Sequence, residues 1–414
     1  MSGIVGEPLL PTAVQRRWWG ERMSALDFDP AVNFIAPERA RANPLVAIRA
    51  RLAVLLATYR DDYHTDSFDL ERLCRRVEDE EEAIAFWGEP AAVARLGGWL
   101  DSASAVPDDS ELARLELGTA TSIDVGERFG PGHRELCRGG SVCRTVSSIG
   151  ATLSSLLRFF AADAHDDFHT IVSTVRNRRS EPDVAGGAAI HRLYTREIKS
   201  SFWGFAPWYV MQGGVLELLD YREIYRDGDA VHAAILRGGP ISLCDEDEAN
   251  LVESLLELNL RPSALRPAVE LGEATGSATS GWRLEVGEGD DLIAFNQVGV
   301  QPAPEDGLPL VELLNTPLAR AAACVVARLP LSAAHGADQA LLRDHGFRLS
   351  AMSPPKGVRR EPFVGFWSRP RSGLGVAEPY YFGSSLLDSA EERLVECGGK
   401  VVGEWTGSAL TASR

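Results

Sequence analysis

The sequence predicts an α/β protein with a mixed sheet, built as two units with a helical extension at its N-terminus. Three observations lead there. Segments with helical apolar spacing alternate with short Thr-, Ile- and Val-rich segments of strand character. The 414 residues allow about two to three domains at roughly 150 residues each. A hydrophobic share of 45% and a charged share of 24% are ordinary for a globular chain and exclude a collagen-like or wholly disordered one.

Residues 1–42 hold Pro8, Pro11, Pro30 and Pro37 and read as weakly ordered. Pro44 to Tyr59 is the first strong helix, with Leu45, Ile48, Leu52, Leu55 and Leu56 at helical spacing and Pro44 at its first position. A second helix starts near Ser67, and the EDEEE run that follows reads as its solvated face. Pro90 to Leu100 is a third. Leu115 to Val125 and Arg134 to Thr145 read as strands, Gly150 to Ala164 as a helix, Phe168 to Val175 as a buried strand and Gly187 to Lys199 as a helix. Phe205 to Met211 and Val215 to Tyr225 close this part as a strand pair turned at Gly213 and Gly214.

The second unit opens after about Asp229 with strands at Val231 to Leu236 and Ile241 to Leu243, then a helix at Asp245 to Leu258. Trp282 to Val300 is a strand pair around a GEGDD turn. A short helix at Leu308 to Asn315, broken by Pro317, precedes the apolar strand Ala323 to Leu329. The helix Ala337 to His345 stops at Gly346. Strands at Phe347 to Met352 and Phe363 to Ser368, a helix at Ser385 to Cys397 and a strand at Val401 to Trp405 complete the pattern.

Charge narrows the partners. Forty-two Lys and Arg against 59 Asp and Glu give a net charge of −17, which argues against broad contact with nucleic-acid phosphates. No apolar run approaches the roughly 20 residues needed to span a bilayer. The first residues lack the basic start and apolar core of a secretion signal. Six sparse cysteines without a CxxC pair fit a reducing cytosol. A cytoplasmic protein is expected.

Three stretches carry a family resemblance, clearest from Leu112 to Tyr225. They are RELCRGGSVC with RTVSSIGATLSSLLRFFAADA, then FHTIVSTVRNRR, then AAIHRLYTREIKSSFWG. They resemble the fourth strand, pyrophosphate loop and following helix, the fifth strand, and the next helix of the GCN5-related N-acetyltransferase (GNAT) superfamily. The family's opening strand has no clear counterpart. ACVVARLPLSAAHGADQALLRDHGFRLSAMSPP resembles the end of a second, degenerate copy. The resemblance implies tandem GNAT-like units: residues 1–228 with the N-terminal helices, and residues 229–414 as the worn copy.

It also implies a site. The stretch Cys143, Arg144, Thr145, Ser147, Ser148, Gly150 and Ala151 would hold the pyrophosphate of coenzyme A. Helix N-termini present free N–H groups to such anions, small residues let the backbone approach, and Arg144 adds a charged contact. An ordinary Ser-capped helix accounts for the same residues. Where the family usually has a middle Gly, this chain has Ser, and the spacing is stretched. By the same resemblance, Glu135 is the first choice for removing a proton from the attacking amine, with Glu127 behind it. Tyr194 would protonate the departing thiolate. A solvated carboxylate and a packing Tyr are the plainer alternatives. His165 and His169 straddle a helix end and a strand start, so no metal is expected.

The implied activity is an N-acyltransferase using acetyl-CoA or another acyl-CoA, with a small amine or amino-acid-like acceptor. Two other readings stay open. One is an aminoacyl-tRNA-dependent transferase of the same fold, which the charge disfavours. The other is a non-catalytic binding or scaffold protein with decayed GNAT units, which the altered loop favours. Oligomeric state is not legible.

Overall fold

The computed structural model describes residues 12–26, 28–59, 70–102, 107–126, 134–142, 168–177, 194, 197–211, 215–260, 265–274, 276–285, 297–356, 362–376 and 389–406. The chain divides into two compact units, Thr12–Ser173 and Thr174–Arg414. The division falls inside a strand. The boundary expected at 228/229 concerns repeated pattern rather than packing.

The N-terminal unit contains α1 (Thr12–Ser24), α2 (Pro30–Asn33), β1 (Phe34–Ile35), α3 (Pro37–Arg41), α4 (Pro44–Tyr59), α5 (Leu70–Glu78) and β2 (Glu82–Gly88). Then follow α6 (Pro90–Leu100), α7 (Asp109–Ala113), β3 (Leu117–Gly126), β4 (Arg134–Val142) and β5 (Phe168–Asn177), which runs up to the division and past it. The sheet order is β1-β2-β3-β4-β5. Every neighbouring pair is antiparallel except β4–β5, which is parallel. One face packs Ile84, Phe86 and Leu117 against α3 to α7 through residues such as Val46, Leu55, Leu73, Leu96 and Leu112. The other carries Ala85, Trp87 and Ala120 against Phe28 and Phe34.

Residues 12–41 hold three helices where weak order is expected. The prolines mark starts rather than breaks. Pro30 and Pro37 sit in the first helical turn, where no backbone N–H is needed. β1 is a strand that the sequence does not announce, because two residues are too few to show a period. The EDEEE run also departs from expectation. Asp79, Glu80 and Glu81 are exposed in a turn, with Glu80 at φ 66°. Glu82 is buried at the head of β2, beside Arg51 and Arg76. Arg51 also donates to Thr121 Oγ1 at 3.1 Å.

The C-terminal unit begins with the strands β6 (Ser201–Met211) and β7 (Val215–Tyr225), followed by α8 (Gly228–Arg237), β8 (Ile241–Leu243), α9 (Glu246–Asn259) and β9 (Val269–Leu271). Then come β10 (Trp282–Glu285), β11 (Gln297–Pro302), α10 (Leu310–Leu314), α11 (Pro317–Ala321) and β12 (Cys324–Pro330). The unit ends with α12 (Gly336–Asp344), β13 (Arg348–Ser353), β14 (Val364–Pro370), β15 (Gly375–Val376) and α13 (Ser389–Thr406). Its main sheet runs β7-β6-β13-β14-β12-β11-β10, with β15 beside β7. The β11–β12 and β15–β7 pairs are parallel and the others antiparallel. β8 and β9 form a separate parallel pair.

Two expected strands are helices. Residues 231–236 lie in α8, where Asp227 caps Ala230 N at 2.9 Å and Val231, Ala234 and Ile235 are buried at helical spacing. Residues 401–405 continue α13. Gly398 and Gly399 inside it suggest a break, but a Cβ on Gly398 would lie 2.8 Å from the Phe205 ring. The glycine there permits close packing rather than ending the helix. α13 is held against α9 by Lys400–Asp247 at 2.8 Å and by an Arg393–Glu257 pair.

Candidate functional site

The proposed sites lie at the end of a parallel strand pair in the first unit and in a turn of the second. Glu135 stands near the start of β4, opposite Gly126 of β3 and Thr170 of β5. Register shifts flank it on both sides, between Asp124 and Gly126 on β3 and between Arg134 and Glu135 against β5. Such irregularities twist a strand locally and are frequent beside active sites. Among the described residues, the β4–β5 pairing runs from Arg134/Phe168 to Arg138/Ser173. β4 itself continues to Val142, still paired with Thr119 of β3. Glu127 and the stretch Cys143, Arg144, Thr145, Ser147, Ser148, Gly150 and Ala151 lie outside the described residues.

Tyr194 belongs to the second unit and is buried, at 3% exposure. It and Glu197 lie in a wide, π-type turn, and Lys199 just beyond it takes a left-handed backbone at φ 59°. Single π-turns recur at functional sites. The Tyr194 carbonyl accepts two bonds, from Ser200 N and Ser200 Oγ, each at 3.0 Å. Ser200 Oγ in turn accepts from Arg222 Nη1 at 3.4 Å. Arg222 is fully buried, forks onto Asp220 Oδ2 at 3.1 and 3.2 Å, and lies over the Phe202 ring.

Alternation along β7 puts Asp220 and Arg222 on one side and Tyr221, Glu223 and Tyr225 on the other. Glu223 is fully buried and accepts four donors: Tyr221 OH at 2.7 Å, Tyr225 OH at 2.7 Å, Ser353 Oγ at 2.8 Å and Lys356 Nζ at 2.8 Å. Tyr225 OH also accepts from Trp203 Nε1 at 2.6 Å. Burial, and then the Glu223 charge, hold the Tyr225 phenol well above its ordinary range, so it stays protonated as a donor. Sequence reading missed Ser200, Asp220, Arg222, Glu223 and Lys356. The signal available was DYREIY, three charged residues among large side chains in a strand that also holds Glu217.

Glu248, on α9, is displaced furthest from ordinary behaviour among the carboxyls of the described residues. Burial pushes it up to about 8, against the opposing pull of Arg343. Its Oε1 lies 3.7 Å from Arg343 Nε and accepts from Leu349 N at 3.4 Å, while Oε2 has no partner among the described residues. The folded value lies above the unfolded one. The native state therefore keeps a proton that the unfolded chain releases above pH 4.5. Stability is expected to fall as pH rises from there to about 8, by at most roughly 5 kcal/mol, and to level off beyond. Glu248→Gln should flatten that slope in urea titrations between pH 6 and 9. An unchanged slope would place the titrating group elsewhere.

Among the described residues no helix is long and apolar enough to cross a membrane, and no group of three His, Cys, Asp or Glu is disposed to hold a metal ion. No protein-family model matches the chain, and no curated protein matches it. Among solved structures it is similar to an acetyltransferase candidate from Salmonella typhimurium solved with acetyl-CoA, at 13% identity and TM-score 0.28 over 47% of this chain and 93% of that one. It is also similar to a nucleotide-linked sugar GNAT protein, at 14% identity and TM-score 0.23 over 47% and 85%. A third is an aminoglycoside 6'-N-acetyltransferase complexed with coenzyme A, at 13% identity and TM-score 0.25 over 47% and 96%. TM-scores this low decide neither fold nor function for this chain.

Proposed function

We propose that the protein is an acyl-CoA-dependent N-acyltransferase of GNAT type, acting on a small amine or amino-acid-like acceptor. The observation that carries this reading is the strand plan of the first unit. It has a run of antiparallel neighbours ending in one parallel pair, β4–β5, whose pairing among the described residues runs from Arg134/Phe168 to Arg138/Ser173 while β4 continues to Val142. Beyond that end of β4 the chain enters the Ser- and Gly-containing stretch 143–151, whose small residues suit close approach to a diphosphate. The second unit supports a tandem origin with copies at 1–228 and 229–414. Antiparallel β10–β11 and parallel β11–β12 repeat antiparallel β3–β4 and parallel β4–β5, and the closing pair β13–β14 repeats β6–β7.

When bound, the acyl-CoA supplies an activated thioester carbonyl. Amide groups of β4 and of residues 143–151 orient it, and Arg144 adds charge at the diphosphate. Glu135 takes the proton from the acceptor nitrogen as the N–C bond forms. Tyr194 holds a proton at its phenol oxygen and delivers it to sulfur as the C–S bond breaks. Calorimetry with acetyl-CoA and longer acyl-CoAs, then turnover with a panel of small amines, tests the scheme. Tyr194→Phe is expected to lower kcat roughly 10²- to 10⁴-fold with little change in the KM for the donor. Absence of binding by any acyl-CoA would overturn the reading. Binding without turnover would favour the non-catalytic alternative.

A further inference from the structure

We infer that Ser200 is a positioning residue for Tyr194, fixed from behind by the buried Arg222–Asp220 pair. The inference rests on the reading of Tyr194 as the proton donor to sulfur. Tyr194 sits where the helical backbone widens. Two bonds from one residue, Ser200 N and Ser200 Oγ at 3.0 Å each, hold its carbonyl. For both to reach one oxygen the chain must reverse sharply, and Lys199 does so at φ 59°, a backbone unfavourable for a side-chain-bearing residue. Strain beside a buried aromatic persists only where the surroundings over-determine it.

The surroundings here are Arg222 and its partners. The guanidinium is fully buried, anchored on Asp220 at 3.1 and 3.2 Å and laid over Phe202. A buried charged pair with this little room to move holds the Ser200 hydroxyl from one side, at 3.4 Å, and leaves its proton for the Tyr194 carbonyl. A small rotation at that carbonyl is magnified at the phenol oxygen, the far end of a long rigid side chain. Misplacements of an ångström or so at a reacting group cost about a hundredfold in rate. Ser200 therefore acts on rate through geometry, without touching substrate.

The test places 3-fluorotyrosine at position 194 and follows its fluorine resonance in the full chain. Ser200→Ala and Arg222→Lys are each expected to move the resonance, and the double variant to move it no further than the larger single change, because both act along one chain of contacts. In turnover with acetyl-CoA, Ser200→Ala should lower kcat roughly tenfold and leave the donor KM unchanged. A resonance that Ser200→Ala does not shift overturns the inference whatever the activity. So do shifts that simply add in the double variant. Full activity in Tyr194→Phe instead overturns the reading on which it rests. The two failures are thus separable.

Discussion

Lys356→Met is expected to destabilise the C-terminal unit by roughly 3–5 kcal/mol, the usual cost of removing one partner from a buried ion pair. The ammonium lies 2.8 Å from Glu223 Oε1, and Glu223 has no solvent exposure. Without the lysine the carboxylate keeps three hydroxyl donors, from Tyr221, Tyr225 and Ser353, but loses the one counter-charge at salt-bridge distance among the described residues. The decisive comparison is made in a Glu223→Gln background. There the charge that Lys356 neutralises is already gone, so the same substitution should cost at least roughly 1–2 kcal/mol less. Urea unfolding of the four proteins measures this. Equal costs in both backgrounds would show that Lys356 acts by packing alone.

Gly204→Ala has the second large expected effect. Gly204 adopts φ +123°, and a Cβ there would stand 2.5 Å from both Ala351 Cα and Ser350 O. Both are backbone atoms of β13, so no side chain can swing aside. The point lies at the β6–β13 pairing, where Ala351 is the partner of Gly204. Backbone strain and forced separation together should cost roughly 3 kcal/mol or more. Gly373→Ala is the control. Gly373 also has a positive φ, +84°, but its Cβ would meet nothing within 4 Å. It should lose only about 1 kcal/mol. Thermal melts of the two variants separate clash from dihedral strain, and similar losses would refute the close-approach argument.

Long periodic segments were legible in the sequence. Pro44–Tyr59 and Pro90–Leu100 fall where patterning places them, because burial of a continuous apolar face and local propensity agree there. Where they disagree, the reading fails. Val231 to Leu236 is β-branched enough to suggest a strand, yet the Asp227 cap and its alanines make a helix. Gly398 of α13 looks like part of a stop and instead lets the helix pack closely on Phe205. β2 begins with a glutamate that Arg51, from α4, and Arg76 make tolerable inside the protein.

The candidate site was legible by role and not by support. Tyr194 and Glu135 can be named from a family likeness, since their residue types suit proton transfer. Ser200, Arg222 and Asp220 owe their importance to contacts that appear only when β7 is folded against the turn before β6. Charged letters within DYREIY look alike whether they face water or one another.

The close packing of α13 at Gly398 has a practical consequence. A version of the chain shortened to end ahead of Ser389 would strip the cover from the Phe205 ring and leave Asp247 and Glu257 without their lysine and arginine. Such a fragment would emerge from the ribosome with a greasy scar and stick to its neighbours, so anyone trimming the protein for expression should keep everything through Thr406.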